Sequence, residues 1–271
     1  MILLVRFALI GLIIYGVVVL AVYLGQRGLQ YFPEKDLGDP KIPEALSAKI
    51  LKVQTEDGFQ NIAWFAPPRE SDGKVIVHFH GNGGNISHRA ATASFYQKLG
   101  YGILLCEYRG YGGNPGSPTE QGLYRDGRAC VNYLLDNGYR LDQLVFYGES
   151  IGSGVAVQMA VEFQPRRLVL EAPFTSAVAV AKTAYAFLPV DMMMLDRFES
   201  IDKIEKVKTS LLVIHGTDDR VVPYELGKKL FEAAKHPKEF VTVEKGGHSN
   251  LYDFKVGEKV VEWLQRMPGK P

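Results

Sequence analysis

Cysteine is scarce in this chain. Cys106 and Cys130 are the only two in 271 residues, too few for a disulfide scaffold or a zinc cluster. Cys106 lies in an apolar, strand-like run and reads as a small buried hydrophobe; the sequence leaves open whether the two pair. A surplus of one charge sign is also missing. Lys and Arg number 31 against 30 Asp and Glu, net +1, so nothing points to a nucleic-acid partner. No internal repeat or low-complexity tract interrupts the chain, and its length suits one large domain plus an appendage. Hydrophobic residues at 46% and charged residues at 23% describe an ordinary globular protein, not a disordered one.

What is present first is a long uncharged run. Residues 7–24 carry no charge, and as a helix they span about 27 Å, close to the roughly 30 Å hydrocarbon core of a bilayer. A cleaved signal peptide fits less well, because the run is long for an h-region and no small-x-small site precedes Gly25-Gln26-Arg27. The expected organisation is a membrane anchor over 1–24, a linker over 25–48 containing Pro33, Pro40 and Pro43, and a globular domain over 49–266. Arg6 on one side of the run and Arg27 and Lys35 on the other nearly balance. The short tail leans toward the cytoplasm, which puts the domain on the non-cytoplasmic side. The sequence does not determine an oligomeric state.

From residue 50 onward strand-like and helix-like segments alternate. Strands are expected over 50–55, 62–66, 74–79, 101–107, 144–147, 167–171, 211–215 and 239–244, and helices over 87–99, 120–137, 151–163, 224–234 and 251–265. The pattern predicts an α/β fold, a mostly parallel central sheet flanked by helices on both faces, with sites at the carboxyl ends of strands. Thirty-nine residues separate the strand ending at Glu171 from the next at Leu211, more than a usual connection. The methionine-rich part, 174–195, reads either as a short mobile lid or acyl-chain pocket or as an ordinary helix packed on the sheet edge.

The chemistry gathers at strand ends. Gly148-Glu149-Ser150-Ile151-Gly152 follows an apolar run and precedes a helical one, the setting in which a tight turn holds up a nucleophilic serine. A serine needs a base, and the base needs a carboxylate to fix its tautomer. Of six histidines, His78, His80, His88, His215, His236 and His248, His248 follows the last strand on a glycine loop and can reach Ser150. The acid should follow the strand ending at His215, where Asp218 and Asp219 stand side by side. Neighbouring loop side chains point apart, so one faces His248 while the other caps a turn; Asp219 is chosen, Asp218 is the reserve, and His215 orders the loop. The oxyanion donors are read as the backbone N–H groups of Ile151 and Asn82, the latter in His80-Gly81-Asn82-Gly83-Gly84-Asn85. Losing one such donor costs about 2.7–4 kcal/mol of transition-state stabilisation. This glycine loop lacks the Gly-Lys-Ser/Thr ending of a phosphate loop. The sequon Asn85-Ile86-Ser87 falls within it, where a glycan would obstruct the site, and is read as unused. No metal or organic cofactor is called for.

Residues 49–264 resemble an alpha/beta-hydrolase domain, specifically the single-pass, membrane-anchored abhydrolase-domain hydrolases, which overlap a serine-aminopeptidase-like set. The resemblance is carried by His78-Phe79-His80-Gly81-Asn82-Gly83-Gly84-Asn85, by Tyr108-Arg109-Gly110-Tyr111-Gly112 with Gly116-Ser117-Pro118, and by Gly148-Glu149-Ser150-Ile151-Gly152. His215-Gly216-Thr217-Asp218-Asp219-Arg220-Val221-Val222-Pro223, Gly246-Gly247-His248 and Tyr31-Phe32-Pro33 after the apolar run complete it. It implies Ser150 as nucleophile, Asp219 as acid and His248 as base, with Arg109 bracing loops. It also implies a small-molecule or lipid acyl substrate, a carboxylic ester or thioester, and the bilayer as partner. A serine peptidase or aminopeptidase on the same fold would need an acidic site for the peptide amine, for which Glu171 and Asp191 are the candidates. A noncatalytic membrane-tethered binding protein has no reason to keep Ser150, Asp219 and His248 together.

Overall fold

The apolar runs pair into one eight-stranded sheet. The computed structural model describes residues 1–35, 42, 46–235 and 237–266; Pro40, Pro43 and His236 lie outside the described residues. In chain order the strands are β1 (Lys49–Gln54), β2 (Gln60–Ala66), β3 (Val75–Phe79), β4 (Gly102–Cys106), β5 (Leu144–Glu149), β6 (Arg167–Glu171), β7 (Ser210–Gly216) and β8 (Lys238–Val243). Across the sheet they run β8-β7-β6-β5-β3-β4-β2-β1. β2 is antiparallel to both neighbours and every other pair is parallel.

The two-residue period of a strand sorts the core into two layers. Val75, Val77 and Phe79 of β3 and Leu144 and Phe146 of β5 face one layer, covered by α3 (Glu120–Asp136), α4 (Ile151–Phe163) and α8 (Tyr224–Ala233). Ile76, Val145 and Tyr147 face the other, under α2 (Ala90–Lys98) and α9 (Val256–Gln265). Cys106 and Cys130 are both buried and free, the pairing left open by the sequence.

Three expected boundaries move. The helix expected over 251–265 is a 3-10 turn, Leu251–Phe254, then α9, because Lys255 takes φ 58° and cannot continue a helix. The helix expected over 87–99 likewise divides into a 3-10 turn, Ile86–Arg89, and α2. Asn85 caps that turn, accepting from Ser87 N at 2.9 Å, and is 1% exposed, so its side chain is sealed from glycosylation in the fold. The third concerns the linker. α1 runs Ile2–Gln30, six residues beyond the boundary at 24, and this end is docked. Arg27 Nε donates to Asp196 Oδ2 at 2.8 Å, and Gln30 Nε2 to the Asp196 carbonyl at 2.8 Å. Polar side chains with partners waiting keep this segment helical where an extended connector was expected.

Between β6 and β7 the chain forms a cap of short helices, α5 (Ala177–Ala184), α6 (Val190–Met193) and α7 (Ile201–Ile204). Val178, Leu188, Val190 and Met193 form their own small core, against which Val19 and Val22 of α1 pack.

Candidate active site

Ser150 occupies the turn between β5 and α4 with φ 52° and ψ −119°. A non-glycine residue there is strained by on the order of 1–3 kcal/mol. Both flanking glycines are required. A Cβ on Gly148 would come within 2.6 Å of Ala156 Cβ and the Ser153 backbone, and one on Gly152 would collide with the Phe79 and His80 carbonyl oxygens. The Ser150 amide donates to the Glu171 carbonyl at 2.9 Å, tying the turn to the end of β6.

Asp219 and His248 reach Ser150 from the ends of β7 and β8. His248 Nδ1 lies 2.8 Å from Asp219 Oδ2, and Nε2 lies 3.0 Å from Ser150 Oγ. With the Nδ1 proton given to Asp219, Nε2 is the acceptor facing the serine hydroxyl. Asp219 is buried, and its Oδ1 accepts from the amides of Val221 at 2.9 Å and Val222 at 2.8 Å. Burial pushes its pKa up, but hydrogen bonds from His215 and His248 outweigh this and hold the carboxyl below its ordinary range. Asp218 is exposed, and its Oδ1 accepts from Thr217 Oγ1 at 3.4 Å. His215 is fully buried and its Nε2 donates to the Val222 carbonyl at 2.9 Å, ordering the acid's loop.

The glycine loop after β3 is held from several sides. The His80 ring bridges Glu107 Oε1 at 2.8 Å and the Gly81 carbonyl at 2.7 Å, and Glu107 Oε2 accepts the Ile86 amide at 2.9 Å. The Asn82 side chain ties the loop to the end of α1. Its Nδ2 donates to the Gln30 carbonyl at 2.6 Å, while Oδ1 accepts from Tyr111 Oη at 2.8 Å and Phe32 N at 3.1 Å. Phe32–Pro33 adds a two-residue parallel bridge to Gly83–Gly84. Asn82 and Ile151 both line the cavity beside Ser150. Ile151 opens α4, so its N–H has no partner within the helix. Arg109 clasps Asp126 at 2.8 Å and Asp57 at 2.8 Å, a brace away from the reacting atoms.

A polar wall stands behind the serine, and sequence reasoning missed most of it. Arg89 grips both oxygens of Glu149 at 2.7 and 3.1 Å and donates to the Gly83 carbonyl at 2.9 Å. Burial alone would raise Glu149, but the Arg89 guanidinium holds it well below the ordinary carboxylate range. Glu171 accepts from Tyr147 Oη, which lies 3.2 Å from Tyr252 Oη. Burial and the nearby Glu149 charge push Glu171 up to about 7. His78 stacks on Tyr147 with ring centroids 5.0 Å apart, and burial lowers it to about 3. The sequence signals were Glu149, beside Ser150 in the glycine pentapeptide, Glu171 as an acidic candidate and His78 in its motif; the Arg89 partner of Glu149 is 60 residues away.

These groups open onto a cavity of about 1000 Å³. Its other wall is apolar: Val18, Val22 and Leu29 from α1 and Val180, Leu188 and Met193 from the cap. The 174–195 segment is thus short helices roofing the serine. Among the described residues, no group of three or more His, Cys, Asp or Glu is arranged to hold a metal ion.

This sheet order, with a serine on the strained turn after β5, defines an alpha/beta hydrolase. The chain matches the Prolyl oligopeptidase family over residues 87–270 and belongs to it. It is 37% identical over 249 residues to uncharacterized protein Rv2307c of Mycobacterium tuberculosis, covering 90% of this chain and 87% of that one. It is 35% identical to human alpha/beta hydrolase domain-containing protein 17B over 65% of this chain and 61% of that protein. Among solved structures, the Pyrococcus furiosus esterase Pf2001 superposes with TM-score 0.72 at 21% identity, over 88% of this chain and 100% of that one. A puromycin-hydrolyzing peptidase of Mycobacterium tuberculosis gives 0.66 at 15%, over 83% of this chain and 40% of that one.

Proposed function

We propose that the protein is a membrane-anchored serine hydrolase of acyl esters or thioesters. The observation that carries this is the unbroken chain Ser150–His248–Asp219, at 3.0 and 2.8 Å, opening into a cavity with an apolar wall. Ser150 Oγ adds to the acyl carbon as its proton passes to His248 Nε2, and Asp219 stabilises the imidazolium. The amides of Asn82 and Ile151 receive the charge that grows on the carbonyl oxygen. His248 returns the proton to the leaving alcohol or thiol, leaving an acyl-Ser150 ester. A water, deprotonated by the same nitrogen, then adds to that ester and frees the acid and the serine.

The strained turn supports the nucleophilic role, since a fold keeps such a conformation only where its surroundings over-determine it. The apolar cavity wall supports a substrate with an acyl chain. α1 supports the anchor: it has 29 residues, and its most apolar stretch has mean hydropathy 2.7. The reading includes a non-cytoplasmic domain, which protease protection in sealed vesicles checks.

Family membership favours a second reading, cleavage of peptide bonds. Neither acidic candidate is free to take a peptide amine. Glu171 is buried against Tyr147, and Asp191 is paired with Lys182 at 2.6 Å. An ester series of increasing chain length, run beside aminoacyl amides, separates the two. The ester reading expects kcat/KM to rise from acetyl toward medium and long acyl chains. Preference for amides, or for acetyl alone, contradicts it.

A further inference from the structure

The uncharged run of α1 is not free of the domain. Tyr15 Oη donates to the Phe187 carbonyl at 2.9 Å, and Val19 and Val22 pack on the cap core. Further along, Gln26 bonds the Met193 carbonyl at 3.1 Å and the Leu195 amide at 2.8 Å. The cap therefore lies along α1 from Tyr15 to Gln26. At 1.5 Å per residue, Tyr15 stands about 13 Å inward from Leu24, where the uncharged run ends, against about 15 Å for half a hydrocarbon core. An α1 that crosses lipid carries the Phe187 turn to nearly that depth.

The cap's surface suits such a position. Phe187 is 65% and Met192 88% exposed, with Tyr185 and Leu195 also open, a costly display for a water-facing turn. The charges along this segment are paired: Lys182 with Asp191 at 2.6 Å, and Arg197, which bonds the Asp191 carbonyl at 2.8 Å, with Glu199 at 2.8 Å. The turn after α5 leaves helical geometry, and each polar backbone group paired there lowers the cost of lying at hydrocarbon depth. The Leu188 amide bonds the Tyr185 carbonyl at 2.9 Å, and Tyr15, a hydroxyl inside an otherwise apolar helix face, takes the Phe187 carbonyl. In water that carbonyl would need no such partner.

We propose that the cap sits in the near leaflet of the bilayer, and that the acyl chain of a membrane-resident ester enters the cavity between α1 and the cap without crossing water. Val18 and Val22 on one side and Leu188 and Met193 on the other form that entry. The inference deepens the reading above and rests on it for the anchor and the ester chemistry.

The test is depth, which needs no turnover. Full-length Phe187→Trp is placed in phosphatidylcholine liposomes with acyl chains brominated near mid-chain. The two native tryptophans, Trp64 and Trp263, are 1% and 5% exposed and give a shielded background. Brominated lipid is expected to remove most of the added indole's emission, and aqueous iodide none. Quenching by iodide and not by lipid overturns the proposal. Met192→Trp repeats the measurement should the first variant misfold. A chain that floats with liposomes but keeps its indole in water sinks this inference and leaves the anchor standing. One that does not float sinks both. Met192→Asp adds a functional arm: turnover of a long-chain ester in vesicles should drop several-fold while a short soluble ester is unaffected. Equal effects on the two substrates count against lateral entry.

Discussion

Ser150 stands between two walls of opposite character. Behind it, the half-buried pair Arg89–Glu149 and the buried pairs His80–Glu107 and Asp219–His215 stand at 2.7, 2.8 and 3.3 Å. In front, α1 and the cap offer side chains such as Val18, Leu188 and Met193 that make no directional bonds. The first wall holds its atoms by directional hydrogen bonds, as a proton relay needs. The second is built of apolar groups without directional bonds, which suits the acyl chain proposed above. The same residue is held rigidly on one side and approached loosely on the other, so substitutions on the two sides should fail differently.

The largest effects belong to the polar side. His248→Ala and Asp219→Asn should each lower kcat by a factor on the order of 10⁴ or more, while Asp218→Asn, one residue away and exposed, should leave it near wild type. Steady-state kinetics on one soluble ester reads all three, and equal losses at 218 and 219 would erase the distinction. Next is Gly152→Ala. Its Cβ meets the Phe79 and His80 carbonyls, and such overpacking costs about 1–3 kcal/mol while displacing the serine turn. Thermal unfolding with a parallel activity assay should show both losses.

The pH dependence of stability sharpens the contrast. Glu171 is held at about 7 against an ordinary 4.5. A carboxyl raised by folding contributes stability that is complete below 4.5 and is lost as pH rises toward 7. Asp219 acts in the opposite sense, losing its contribution only as pH falls below the usual carboxylate range. Buried His78, lowered to about 3, acts against Glu171 over much of the same range, so the readout is a difference: wild-type Tm should fall relative to that of Glu171→Gln between pH 4.5 and 7, at roughly 2–4 °C per kcal/mol for a domain of this size. The smallest effect falls on α1. A Cβ on Gly28 meets nothing within 4 Å, so Gly28→Ala should add up to about 1 kcal/mol of helix stability and leave turnover unchanged.

The sequence was most legible where a motif states its own geometry. Ser150 lies between two glycines that the turn demands, and His248 on a glycine loop after the last strand, so residues 98 apart could be brought together on paper. The rule that neighbours in a loop point apart says only that one of Asp218 and Asp219 faces His248; the preference for Asp219 came from the family resemblance. The Arg89–Glu149 clasp and the Glu171–Tyr147–Tyr252 row were not legible. Glu149 stood in the serine motif and Glu171 among the acidic candidates, but only packing across the sheet brings them to one wall with Arg89, Tyr147 and Tyr252. The docked end of α1 was hidden for the same reason. Gln26, Arg27 and Gln30 read as the start of a linker until Asp196 and Met193, more than 160 residues later, supply their partners.

The central claim is an activated Ser150. Wild-type protein treated with a fluorophosphonate, digested and sequenced by mass spectrometry should carry the adduct on the peptide containing Ser150. The adduct should be absent in Ser150→Ala and form far more slowly in His248→Ala. A folded wild type that takes no label, or takes it on another residue at the same rate in all three proteins, would contradict the account.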